Sequence, residues 1–277
     1  MNGFLKIAVA STFSPRFLPL LAEAKAFSTP LGSGFSIIYA GKYGDAEQDR
    51  FAQAFAELGI DPPPKVYCAE GDPATVIMRT ATEQGIDLLI AGALERDTGG
   101  RNFLGDVART LMRDSPISLM LFPQPSAEPR SFKKLAVIVD FSSQAQTALK
   151  KAIFLAEKHT AESIHALRIF TIFDQALSKP DEFLQGEKTE HPGLEEEEAQ
   201  LKKFIDAAGP SATPVEGRCI EGTTGFAASD FVQAIEADLL VIPSAAPGAP
   251  HQFPQGMDWL FNVIPANLLV VRGAAEG

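Results

Sequence analysis

Apolar residues recur along this chain with two alternating periods. Short continuous runs, Leu5–Ala10, Phe35–Ala40, Lys65–Ala69, Leu88–Ala91 and Ile117–Phe122, have the length and β-branched content of strands buried on both faces of a sheet. Between them the spacing changes to that of helices. Phe17, Leu20, Leu21 and Ala24 fall on one face after Ser14-Pro15, which predicts an N-cap at Ser14 and proline at the first helical position. Further helices are predicted over 46–58, 73–84 and, more briefly, 105–113. The same order returns later, with strands near 134–139, 163–170, 214–219, 239–242 and 267–271. Strands alternating with helices predict a doubly wound parallel sheet, and the chain carries two of them.

The repeat is visible residue by residue. Lys6-Ile-Ala-Val-Ala-Ser-Thr-Phe-Ser14 matches Lys134-Leu-Ala-Val-Ile-Val-Asp-Phe-Ser142 at an offset of 128. Cys68-Ala-Glu-Gly71 matches Cys219-Ile-Glu-Gly222, Asp87-Leu-Leu-Ile90 matches Asp238-Leu-Leu-Val241, and Gly105 falls on Gly256, all at an offset of 151. The step of 23 residues predicts an insertion in the second copy, placed at about 174–198. Residues 1–123 and 132–277 are thus read as two domains joined by a Pro-rich linker, 124–131, within Pro123-Gln-Pro-Ser-Ala-Glu-Pro129.

Composition narrows the class. The 277 residues are 45% hydrophobic and 21% charged, which fits a globular protein. MNGFLKIAVAST reads as a first strand and not as a signal peptide, and no segment is apolar for long enough to span a bilayer. With two well-separated cysteines, a reduced cytoplasmic location is expected. Cys68 and Cys219, at equivalent strand ends, are expected to be buried small residues. The net charge of −11 argues against nucleic-acid and membrane partners. Much of the acid lies between Asp174 and Asp206, and the run Glu195-Glu-Glu-Glu198 reads as a solvated helix face or loop. His159, His165, His191 and His251 lack metal-ligand spacing, so no metal is expected. Trp259 is expected to pack at a helix against the sheet or the other domain.

In doubly wound sheets ligands sit outside the carboxyl ends of the strands, where the strand order reverses. Thr12 and Asp140 end the two first strands, and the glycine-rich stretch Gly92-Ala-Leu-Glu-Arg-Asp-Thr-Gly-Gly-Arg-Asn-Phe-Leu-Gly-Asp106 follows the fourth. Such a loop before a helix can cradle phosphates with backbone N–H groups.

With Val139-Asp-Phe-Ser142, Glu70-Gly-Asp-Pro73 and Asp87-Leu-Leu-Ile-Ala-Gly92, the chain resembles the universal stress proteins in their tandem two-domain form. The resemblance implies an adenine nucleotide alpha hydrolase-like, Rossmann-like fold and a non-enzymatic stress-response or regulatory role. It implies pairing of the two domains through their final strands, 117–122 and 267–271, with a homodimer or a protein partner as further candidates. ATP and AMP are the ligands it brings into question. The family's nucleotide-binding members carry Gly-x2-Gly-x9-Gly-Ser/Thr, and here the spacing survives while the chemistry changes. The first copy has Gly92, Glu95, Gly105 and Asp106; the second has Pro243, Ala246, Gly256 and Met257. The aspartate that the family places beside adenosine is Asp140 in the second copy and Thr12 in the first. Candidate nucleotide-loop positions are therefore Asp140, Thr12, Gly92, Gly105, Asp106 and Gly256. Two carboxylates facing phosphate oppose binding, since like charges about 4 Å apart repel by roughly 1 kcal/mol or more. Arg96 and Arg101 would offset this if turned inward. The expectation is a degenerate site that does not bind ATP in the usual way. The alternatives are an ATP/AMP sensor using one partly retained site, and a hydrolase or transferase on the same fold, although Gly-x-Ser-x-Gly, Gly-Lys-Ser/Thr and His-Glu-x-x-His are all missing.

Overall fold

A computed structural model describes residues 3–96, 102–170, 192–221, 226–254, 257 and 264–273. The first half contains β1 (Ile7–Ser11), α1 (Phe17–Ser28), β2 (Phe35–Ala40), α2 (Asp45–Glu57), β3 (Val66–Ala69), α3 (Pro73–Glu83) and β4 (Leu88–Gly92). A hairpin follows, of β5 (Leu94–Arg96) and β6 (Asn102–Leu104), and then α4 (Asp106–Asp114) and β7 (Ser118–Phe122). The second half contains β8 (Lys134–Val139), α5 (Ser143–Lys158), β9 (Ser163–Phe170), α6 (Pro192–Asp206), β10 (Val215–Glu221), α7 (Phe226–Ala234), β11 (Leu239–Ser244) and β12 (Asn267–Arg272).

Each half is a parallel sheet with its first strand in the middle, ordered β3-β2-β1-β4-β7 and β10-β9-β8-β11-β12. The two join through β7 and β12, which pair antiparallel with Met120 opposite Leu269, to give one ten-stranded sheet. This is the domain contact that the resemblance implied for the final strands.

The alternation of side chains along these strands explains why their runs are apolar throughout. Val9, Ile90, Met120, Phe122, Val137 and Leu269 pack on one face, with Phe27 of α1, Phe51 of α2 and Leu149 of α5. Ala8, Leu89, Leu119, Leu121, Ala136 and Leu268 pack on the other, with Ile77 of α3, Leu111 of α4 and Val232 of α7. Both apolar layers cross from one half into the other, so burial on each face continues over the β7–β12 seam.

The repeated Asp-Leu-Leu has a structural reason. Asp87 accepts the backbone N–H groups of Leu5 and Lys6 at 2.8 and 3.0 Å and returns its own N–H to the Lys6 carbonyl. Asp238 does the same for Lys133 and Lys134 at 2.7 and 2.9 Å, with its N–H on the Lys134 carbonyl. Each aspartate thereby fixes where the central strand of its half begins.

Several expectations change. The first helix starts at Phe17 with Arg16 in the capping position, because Ser14 spends its hydroxyl and its carbonyl within the turn, on the N–H groups of Arg16 and Phe17. Cys68 on β3 is exposed; only Cys219 on β10 is partly buried, because it packs against the cluster of Ala166 and Leu201 of α6, and burial pushes its thiol up to about 11. The acidic run Glu195–Glu198 lies on α6, which takes the place in the second half that α2 takes in the first. There Glu197 grips Arg168 of β9 with two hydrogen bonds of 2.7 and 3.4 Å, so one member of the run is not simply solvated. Residues 171–191, most of the expected insertion, lie outside the described residues, as do His191 and Trp259.

Candidate functional site

Strand order reverses between β1 and β4, and beyond their carboxyl ends the first half holds a cleft of about 280 Å³. Thr12, Gly92 and Gly105 line it, with Ile77 of α3 and Val107 and Leu111 of α4. The structure brings these three candidates together, and Asp106 follows Gly105 as the exposed first residue of α4. Gly92 has an ordinary negative-φ backbone, and a Cβ added to it would meet nothing within 4 Å. The absence of a side chain there leaves open space in the cleft and relieves no strain in the chain. Gly105 is the N-cap of α4 and offers no side-chain cap to the first-turn N–H groups of that helix. Its own N–H donates to the Ala93 carbonyl at 3.0 Å.

The glycine-rich stretch is not one irregular loop. Leu94 pairs with Leu104, Glu95 with Phe103 and Arg96 with Asn102. The signal was present in the sequence, as short apolar–polar runs flanking Asp97-Thr-Gly-Gly-Arg101, a five-residue connection containing glycine. Residues 97–101, with Arg101, lie outside the described residues, as does Gly256.

In the second half the corresponding groups are engaged elsewhere. Asp140 Oδ1 accepts the Ser142 N–H at 3.1 Å and the Ser142 hydroxyl at 2.5 Å, while Ser142 Oγ caps α5 by accepting the Ala145 N–H at 3.1 Å. Phe141 between them adopts a φ of 63°, a left-handed conformation held by this tight turn. Pro243 stands in register with Val271 inside β11 and has no N–H to give a ligand. The next residue, Ser244, is buried and bonded to Arg272, and its hydroxyl donates to the Gln252 carbonyl at 3.1 Å. Ala245 closes the turn by donating its N–H to the same carbonyl at 2.8 Å.

Arg272, at the end of β12, was not singled out from the sequence. It is 8% exposed, and burial lowers its pKa to about 10. Its guanidinium reaches across the seam to the carbonyls of Met112 and Arg113 at the carboxyl end of α4. A cation there opposes the negative end of the helix dipole and satisfies carbonyls that the helix leaves unpaired. Gln252 Nε2 also donates to the Arg113 carbonyl, at 2.6 Å. The helix whose first turn lines the first-half cleft is thus anchored at its other end by the second half.

Among the described residues no cluster of three or more His, Cys, Asp and Glu side chains could hold a metal ion. No described helix is long and apolar enough to cross a membrane.

Two doubly wound halves with a cleft at the switch point define a tandem α/β protein of Rossmann-like, adenine nucleotide alpha hydrolase-like class. The universal stress protein family model matches residues 26–123 and again 131–254, and the chain belongs to that family in its tandem form. A universal stress protein from Archaeoglobus fulgidus DSM 4304 superimposes with a TM-score of 0.68 at 16% identity, over 96% of this chain and 98% of its own. A functionally unknown protein, PA1789 from Pseudomonas aeruginosa PAO1, superimposes with a TM-score of 0.70 at 15% identity, over 98% and 93%. At these identities the likeness is one of fold. No curated protein matches the sequence.

Proposed function

We propose that this chain is a non-enzymatic regulatory protein of the stress response whose two nucleotide-type sites do not bind ATP in the family's usual geometry. The observation that carries this reading is the turn at Asp140, where Oδ1 of the adenosine-type carboxylate is taken by the N–H and hydroxyl of Ser142, which caps the chain's own helix. Pro243 and the Ser244–Arg272 contact remove donors and space from the loop beside it. In the first half the cleft is open, but Thr12 replaces the carboxylate and Asp106 brings negative charge to the helix end where phosphates would lie. Neither half combines the adenosine end of such a site with the phosphate end.

The second reading is an ATP- or AMP-binding sensor that uses the first-half cleft alone. It is favoured by the open space at Gly92. Mass spectrometry of ligand released from the purified protein, with titration of ATP and magnesium, separates the two. The first reading predicts no co-purified nucleotide and no micromolar binding. Micromolar binding abolished by Asp140→Ala would refute it, whereas binding abolished by Gly92→Leu and kept by Asp140→Ala would establish the second.

A further inference from the structure

Between the halves, away from the nucleotide-type loops, lies a cavity of about 440 Å³. Its walls come from α1, from the connection between β7 and β8, and from the residues that lead into β11 and β12. A second space of about 280 Å³ shares Glu23, Arg130 and Phe132 with it and extends towards Phe27 and His159. The larger space falls in the range of roughly 300–1,000 Å³ that small-molecule sites occupy, and such sites favour domain interfaces.

Two groups in it are unusual. Glu23 is a carboxylate on the buried face of α1, only 7% exposed. One of its oxygens accepts the Ser126 N–H at 3.0 Å; the other has no hydrogen bond among the described residues. Arg130, on the connection, lines both spaces and has no ion pair or hydrogen bond among the described residues. A buried acid and a base thus share one cavity without pairing with each other. Asp238, also on the wall, accepts the Lys133 and Lys134 N–H groups, both through Oδ2. His159 is enclosed between Phe27 and Phe132, at ring distances of 5.4 and 5.1 Å, and forms an aromatic wall.

We propose that this cavity binds a small zwitterion of the α-amino-acid class, with its ammonium on Glu23 and its carboxylate on Arg130. Arginine presents a forked donor that suits a carboxylate, and a buried carboxylate with a free oxygen suits an ammonium. Such a ligand joins α1 of the first half to the connection leading into the second, so its binding would tighten the seam between them.

The test is calorimetric titration of the full-length protein with each of the standard L-amino acids in turn, up to about 10 mM, a range that reaches millimolar affinities. At least one should bind; its N-acetyl and its carboxamide derivatives should not. Glu23→Gln and Arg130→Gln should each weaken binding roughly tenfold or more, as expected for the loss of a charge-assisted contact. Arg130 is exposed, so that variant keeps the fold and carries the test alone if Glu23→Gln proves unstable. Absence of binding by every amino acid, equal binding of the N-acetyl derivative, or unchanged affinity in Arg130→Gln would overturn the proposal. So would loss of binding in Gly92→Leu, which would move the ligand into the first-half cleft. None of these outcomes depends on whether ATP binds.

Discussion

His159 provides a sharp test of how the seam region is packed. Its imidazole is 8% exposed, stacked at 30° on Phe27 and edge-on to Phe132, and its Nε2 has no hydrogen-bond partner among the described residues. Burial pushes its pKa from the ordinary 6.5 down to about 4. The folded protein therefore holds the ring neutral down to a pH at which the unfolded chain would long since have protonated it. Its contribution to stability is fully present above pH 6.5 and is lost as the pH falls towards 4. The two values differ by a factor of roughly 300 in proton affinity, about 3 kcal/mol when fully expressed. At an intermediate pH near 5 the loss is about 2 kcal/mol. Burial also raises the pKa of Glu23, so the measurement is the difference between the native protein and His159→Phe, which fits the aromatic stack and cannot protonate. Urea unfolding of both proteins at neutral pH and near pH 5 should show the variant gaining about 2 kcal/mol on the native protein as the pH falls. Parallel loss of stability in the two proteins would mean that the ring is hydrated, and the reasoning would fail.

Arg272→Ala should cost about 2–4 kcal/mol, because it leaves the Met112 and Arg113 carbonyls and the Ser244 hydroxyl without their charged donor, partly offset by release from a buried charge. Denaturant unfolding would measure it, and a loss below about 1 kcal/mol would show that water replaces the guanidinium. Asp87→Ala and Asp238→Ala should each cost about 1–2 kcal/mol by freeing two strand N–H groups, and comparable losses in the two variants are expected from their matching geometry. A loss at one position only would refute the structural reading of the repeated motif.

Much of this architecture could be read from the chain, for identifiable reasons. Strands buried on both faces must be apolar throughout, so β1, β4, β7 and β11 announce themselves, and the Asp-Leu-Leu repeat survives because its aspartate performs the same local task twice. What escaped notice depends on distant partners. Cys68 resembles Cys219 in sequence, and both lie on terminal strands, but only Cys219 is packed against the cluster that Leu201 of α6 completes. Glu197 looks like any other member of its acidic run until Arg168 is placed beside it from β9. Glu23 and Arg272 each sit in unremarkable local sequence, and their roles come from contacts 103 and 160 residues away. At the nucleotide-type loops the sequence marked the altered positions, whereas the engagement of Asp140 by Ser142 required the turn geometry.

The antiparallel join of β7 to β12 also governs how the assembly responds to its surroundings. Because both strands belong to one chain, each half meets the other at an effective concentration fixed by the short connection between them, and not by how much protein the cell makes. Dilution does not part them, and a free half from another molecule competes at a disadvantage of several orders of magnitude. The seam also consumes the final-strand edge of both halves, which leaves β3 and β10 as the terminal strands of the ten-stranded sheet. A second copy that extended the ten-stranded sheet by strand pairing would do so there, at its two ends, and would lengthen it.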